Sequence, residues 1–335
     1  MGIISTSVEK HQEPTMRAML PFVCLNIAST LFVAAGQNQM YFMLGLTAFA
    51  FHFMHHFFLF IALLILVPLG KTSLAKAVPI RAILPLSATQ AVVSIASGII
   101  HTGGIDGALY AIRLGDAGVA LVVILISHLL LEQKYRPNPA NRNIILMIAL
   151  GSFLSWLEPG VLDYSIRAVV CVPFISIATA LHCMLTFQRF KTLDVPLETF
   201  LLYVSGLTSL FLALPAIVFT SDTFNKDLKN IPASWEIIDY ALLIMAVLFM
   251  VLMMYSRYWL MTHLHPESYL VFRHAKYCLA ALGQWFAQDF AYATWSSGVG
   301  RVIDIFSIGG YVFRRRIQQN STTKVDLPLP HASAV

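Results

Sequence analysis

Ten long apolar stretches constrain this chain more than any other feature. They run at roughly 18–36, 42–69, 82–100, 107–132, 143–157, 164–188, 196–219, 236–263, 266–289 and 294–313. A helix needs about 20 apolar residues to cross the hydrocarbon core of a bilayer. Backbone groups there must be satisfied inside helices or closed barrels. No stretch alternates polar and apolar residues, which disfavours a barrel. Only 12% of the 335 residues are charged, against about 25% in an average soluble domain. The expected fold is an all-α membrane protein with ten transmembrane helices, the fifth of them short.

Lysine and arginine orient such a chain, because they concentrate on the cytosolic side. Fourteen of the 22 basic residues fall in the two tails and in the loops after even-numbered spans. The odd-numbered loops hold only Lys226 and Lys229, and the other six lie inside spans. An even span count with both termini cytosolic follows. The net charge of +5 is mostly this orientation signal and makes no case for nucleic acid. The first sixteen residues are polar, so no cleavable signal peptide is expected. Cys24, Cys171, Cys183 and Cys278 all fall in spans and read as small buried hydrophobes. The sequon Asn320-Ser321-Thr322 lies in the cytosolic tail and is expected to stay unglycosylated.

The chain divides near residue 160 into five spans plus five. The expected parts are a cytosolic tail (1–17), a first half (18–158), a second half (159–313) and a cytosolic, disordered tail (314–335). An odd number of spans per half inverts the second half relative to the first, and inverted repeats commonly hold a substrate near the midplane between them. Arg273 and Lys276 stand one helical turn apart in the ninth stretch, with no acid between Tyr269 and Gly283. Each such charge costs about 2.5–3.5 kcal/mol in a bilayer by insertion scales, so the pair should face a cavity and meet an anion there.

Several stretches match a known group in order. They are Leu46-Thr47-Ala48-Phe49 with His52-Phe53, Leu84-Pro85-Leu86-Ser87, Leu129 to Tyr135, Leu157-Glu158 with Leu162-Asp163, His265-Pro266-Glu267-Ser268-Tyr269 with Lys276, and Gly309-Gly310-Tyr311 before a basic tail. The chain thereby resembles the triose-phosphate translocator and nucleotide-sugar transporter group of the drug/metabolite transporter superfamily, over about residues 20–316. That resemblance implies two inverted five-helix repeats around a central cavity. It also implies exchange of a nucleotide sugar or sugar phosphate for a nucleoside monophosphate or phosphate across a Golgi or endoplasmic reticulum membrane. Basic residues of the fourth and ninth spans hold the phosphate in the group. Lys276 matches the ninth-span lysine and Arg113 approximates the fourth-span cation, while Arg273 has no counterpart.

The candidate substrate-binding residues are Lys276, Arg113, Arg273 and Arg301. Arg113 has Asp116 at i+3 and Arg301 has Asp304 at i+3, a spacing that permits an intrahelical pair. Lys276 has no acid within a turn, so its competing explanation is a salt bridge to Asp116, Asp304 or Asp239 on another span. Arg273 lies a turn nearer the cytosol and could snorkel. Arg257, beside Tyr255, Tyr258 and Trp259, reads as an interfacial anchor, and Arg167 as another, pairing with Asp163. His52, His55 and His56 share one face of the second span and read as polar cavity lining or as helix–helix hydrogen-bonding groups. Tyr277, next to Lys276, points about 100° away from it and reads as packing. No catalysis, cofactor or metal is expected. Beyond the solute, the partner is the lipid bilayer, and a homodimer is compatible. Two alternatives differ in class: a non-transporting regulatory protein on the same scaffold, and a transporter of a non-phosphorylated metabolite.

Overall fold

The computed structural model describes residues 14–43, 47–69, 78–101, 105–131, 136, 138–156, 166–227, 236–287 and 294–325. Among these the fold is entirely helical. The helices are α1 (Met16–Met43), α2 (Ala48–Leu66), α3 (Ile80–His101), α4 (Ile105–Leu130), α5 (Arg142–Trp156), α6 (Ile166–Leu193), α7 (Leu197–Asp227), α8 (Ile237–His263), α9 (Pro266–Ala287) and α10 (Trp295–Val325). Each falls on one of the ten apolar stretches.

Seven of the helices, α1 to α4 and α6 to α8, are long and apolar enough to cross a membrane, the hallmark of a multi-pass membrane protein. The other three fall short for visible reasons: α5 has only 15 residues, and α9 and α10 carry charged residues within their length. The outward faces bear large apolar side chains in the open, such as Leu125, Leu129, Ile166 and Ile237, as lipid contact requires. At its far end α10 continues past the predicted boundary at 313, through Arg314–Arg316, to Val325. The tail expected to be disordered over 314–335 is thus helical up to that point.

Local chemistry fixes several helix ends. The Thr47 hydroxyl accepts a hydrogen bond from the Ala50 amide at 3.3 Å and caps α2. Glu236 and Asp239 form a capping box at the start of α8. Asp194, with φ of 45°, takes the left-handed conformation that ends helices, and α7 begins three residues later.

Neighbouring pairs are α1 with α8, α2 with α7, α3 with α6 and α5 with α10, while α4 packs against α5 and α6. The described core forms several clusters along the bundle. On the side of the even-numbered loops one large core joins α1, α2, α3, α6, α7, α8 and α9 through residues such as Met19, Leu63, Leu86, Phe200, Tyr258 and Tyr269. A second core there joins α4, α6 and α9 through Val123, Met184 and Leu270. Two further clusters lie toward the other side. Ala96, Ile100, Ala111 and Ile175 form one cluster on α3, α4 and α6. Val33, Phe51, Ala246 and Met250 form a separate one on α1, α2 and α8.

Candidate functional site

Polar residues from different helices converge at one depth. At 1.5 Å of rise per residue, Asn26 on α1, His56 on α2, His182 on α6 and Lys276 on α9 each lie roughly 15 Å from the helix end nearest the even-numbered loops. That is about halfway through a 30 Å hydrocarbon core.

Asp116 on α4 is the electrostatic hub. Its side chain is 4% exposed. It accepts from Arg113 Nη1 on its own helix at 3.3 Å and from Arg273 Nη2 on α9. The predicted intrahelical pair is therefore present, but it is shared. Arg273 is buried, 9% exposed, rather than snorkelling to the membrane surface. Its Nε and Nη1 are buried with no hydrogen-bond partner among the described residues.

Lys276 is held differently. Its ammonium donates to Asn26 Oδ1 at 3.1 Å and to Thr30 Oγ1 at 3.4 Å. Neither acceptor is charged, and none of Asp116, Asp239 and Asp304 pairs with it. The aim of Asn26 is set from α8: its amide nitrogen donates to the Met253 carbonyl at 3.2 Å and to Ser256 Oγ at 3.1 Å, which turns its oxygen toward Lys276. An ammonium has three donors, so one remains after Asn26 and Thr30.

Two further residues belong here that sequence reasoning set aside. The Tyr277 ring lies 3.8 Å from the Arg113 guanidinium carbon, and it is also within 5.6 Å of Arg273 and 5.7 Å of Lys276. It is a cation–π platform as well as a packing residue. Arg257 is half-buried and makes no hydrogen bond or ion pair to a described residue. It acts electrostatically on Lys276 and on Arg273 and Tyr269, so it faces the site instead of the membrane edge. The clue available in the sequence was the one that singled out Lys276, a cation inside a span with no acid within a turn.

Arg301 sits apart. Its guanidinium lies 4.1 Å from the Trp285 ring centroid and 5.6 Å from that of Trp156, and Trp156 is also 5.9 Å from Arg113. Asp304 accepts from Ser152 and Ser155 on α5 and feels Arg301 electrostatically. Of the four predicted residues, Lys276, Arg113 and Arg273 are thus brought together, with Arg301 beyond Trp156. Glu132 to Tyr135, Glu158 and Asp163, and the side chain of Asn320, lie outside what the structure describes.

No protein-family model matches the chain, and no curated protein matches it. In fold it is similar to a solved structure described as "Crystal structure of protein", with a TM-score of 0.61 and 13% identity over 90% of this chain and 99% of that one. A likeness at that identity concerns the fold alone.

Proposed function

We propose that this chain is an antiporter of nucleotide sugars or sugar phosphates, working by alternating access and related to the triose-phosphate translocator and nucleotide-sugar transporter group. One observation carries the reading: Lys276 lies within electrostatic reach of three more cations, Arg113, Arg257 and Arg273, and of one carboxylate, Asp116, which the arginines Arg113 and Arg273 already contact. Uncompensated charge at membrane depth is expensive. A phosphomonoester brings about −1.5 to −2 at neutral pH, and its oxygens suit both the guanidinium fork and the ammonium point charge. A neutral solute would leave the excess in place.

The helix pairing supports two inverted five-helix repeats. Matching each helix with the one five places on exchanges the α1–α8 pair with the α3–α6 pair, and carries α2–α7 and α5–α10 onto themselves. That is the pattern a pseudo-two-fold axis in the membrane plane gives. In this reading all ten helices span, both termini are cytosolic, and the membrane is that of the Golgi or endoplasmic reticulum. An anion at Lys276 would neutralise the cluster and let the halves rock around it.

Purified protein in liposomes loaded with a nucleoside monophosphate or phosphate is expected to take up a labelled nucleotide sugar or sugar phosphate in exchange. Lys276→Gln, which keeps donors for Asn26 and Thr30 but loses the charge, is expected to abolish that uptake. No exchange across a broad panel of phosphorylated solutes rules the reading out. The Asp116 bridge favours one competing view, because Arg113 and Arg273 already have a counter-charge: a non-transporting protein on the same scaffold would show no exchange of any solute, phosphorylated or not.

A further inference from the structure

The histidines of α2 have no role in the cation cluster, yet they lie beside it. His52, His55 and His56 share one face of α2, with the His52 and His55 rings 6.1 Å apart. Across from them His182 on α6 has Nδ1 3.1 Å from the Leu86 carbonyl oxygen, and its ring meets that of Tyr258 edge-on at 5.8 Å. Four polar atoms in this group are buried with no hydrogen-bond partner among the described residues: His55 Nε2, His56 Nδ1, His182 Nε2 and the Tyr258 hydroxyl. Folded proteins leave few buried polar groups unpaired, and here four come from three helices. Arg257 ties them to the anion site, since it acts electrostatically on all four histidines and on Lys276.

The chemistry of the two regions differs. Around Asp116 the available groups are cations, which suit phosphate oxygens. Around His56 they are imidazoles and a phenol, each able to donate and accept while uncharged. A hydroxyl group on a ligand has the same dual character.

We propose that His55, His56, His182 and Tyr258 form a second compartment of the anion site, which takes the hydroxyl-bearing organic part of a phosphorylated solute. Half-buried Arg257 acts electrostatically on both compartments. The assignment rests on the phosphate reading of Lys276 and narrows it to sugar-like phosphate esters over inorganic phosphate. In this state the compartment is closed off from solvent, so its occupation belongs to the rocking motion of the halves.

The test uses the full chain in detergent and in liposomes, with three probes: inorganic phosphate, a hexose monophosphate and a nucleoside monophosphate. Each is measured by its thermal stabilisation of the protein and by its competition for exchange. Wild type is expected to prefer the hexose phosphate to inorganic phosphate. Tyr258→Phe, which removes one hydroxyl and keeps the ring, and His56→Gln are each expected to reduce that preference roughly three- to tenfold, the effect of one hydrogen bond. Should His56→Gln fail to fold, Tyr258→Phe decides. Equal weakening of all three probes, or no change in either variant, overturns the compartment while leaving the phosphate site standing. A preference lost for the nucleotide alone overturns the sugar assignment. If no phosphorylated probe stabilises wild type, both this inference and the phosphate reading fall.

Discussion

Arg113–Asp116 on α4 and Arg301–Asp304 on α10 share one sequence pattern and meet opposite fates. Asp116 takes two arginines, one from its own helix and one from α9. Asp304 takes none among the described residues: Ser152 Oγ donates to both its oxygens at 3.2 Å, and Ser155 Oγ stands at 3.5 Å. The neighbouring helix makes the difference. At α10 the partner is α5, and the two approach through Gly151 and Gly300. A Cβ built on Gly151 would lie 2.6 Å from Asp304 Oδ1 and 2.9 Å from the Gly300 carbonyl oxygen. That crossing holds the Asp304 carboxylate against serine hydroxyls, and Arg301 turns to Trp285 and Trp156 instead. A spacing of i, i+3 permits an ion pair, but the opposing surface decides whether one forms.

The sharpest way to break this comparison is to neutralise each acid in turn. Asp116→Asn strands two guanidinium groups in the interior. Removing one partner of a buried pair typically costs about 3–5 kcal/mol. Asp304→Asn breaks no direct arginine contact and keeps an acceptor for Ser152, so its cost should be about 1–2 kcal/mol, near that of one or two hydrogen bonds. Thermal unfolding of the purified variants in one detergent compares them directly. Equal losses would mean that Asp116 is not the hub the geometry describes. Adding Arg273→Gln to Asp116→Asn should return part of the loss, because the two changes act on one interaction.

A smaller effect tests the helix crossing. Gly151→Ala meets backbone as well as the carboxylate, so the helices must part, at a cost of about 1–3 kcal/mol for overpacking. Gly309→Ala on the same α10 is the matched control: a Cβ there meets nothing within 4 Å, and alanine in place of a helical glycine should stabilise by about 0.5–1 kcal/mol. Opposite signs in the two unfolding temperatures are expected. A neutral Gly151→Ala would remove the crossing as the reason Asp304 stays with α5.

How much of this was legible follows from the same distinction between what one helix carries and what another brings to it. Ten helices could be read because apolar length is a property of a segment by itself. The end of α10 could not, since the polar residues after Phe313 end the apolar stretch without ending the helix. Lys276 stood out because its own helix offered no acid. Arg257 had the same mark, but Tyr255, Tyr258 and Trp259 suggested an interfacial belt. Those aromatics have inward partners: Tyr255 donates to Glu198 at 2.8 Å, Tyr258 is 1% exposed, and Trp259 stacks on Phe22. Tyr277 was set aside because it points away from Lys276, and its main partner, Arg113, arrives from α4. Such partners depend on which helices meet, and single-chain periodicity does not record that.

The smallest expected effect refines the Asp304 side. Its two serines are not equivalent. Ser152 Oγ reaches both carboxylate oxygens and also stands 2.9 Å from His274 Nδ1. One hydroxyl has one proton; if Ser152 gives it to Asp304, then His274 must carry its proton on Nδ1 and donate to Ser152. Ser152 thus links α5, α9 and α10, whereas Ser155 adds one contact at the limit of hydrogen-bond length. Ser152→Ala should cost about 1 kcal/mol or slightly more, and Ser155→Ala less than about 0.5 kcal/mol, the low end for a hydrogen bond. Equal shifts in unfolding temperature would show that Asp304 is held by the crossing as a whole. A dominant Ser152 would leave the two acids truly parallel, each fixed by one bridging group from another helix, with charge supplied at Asp116 and a shared proton network at Asp304.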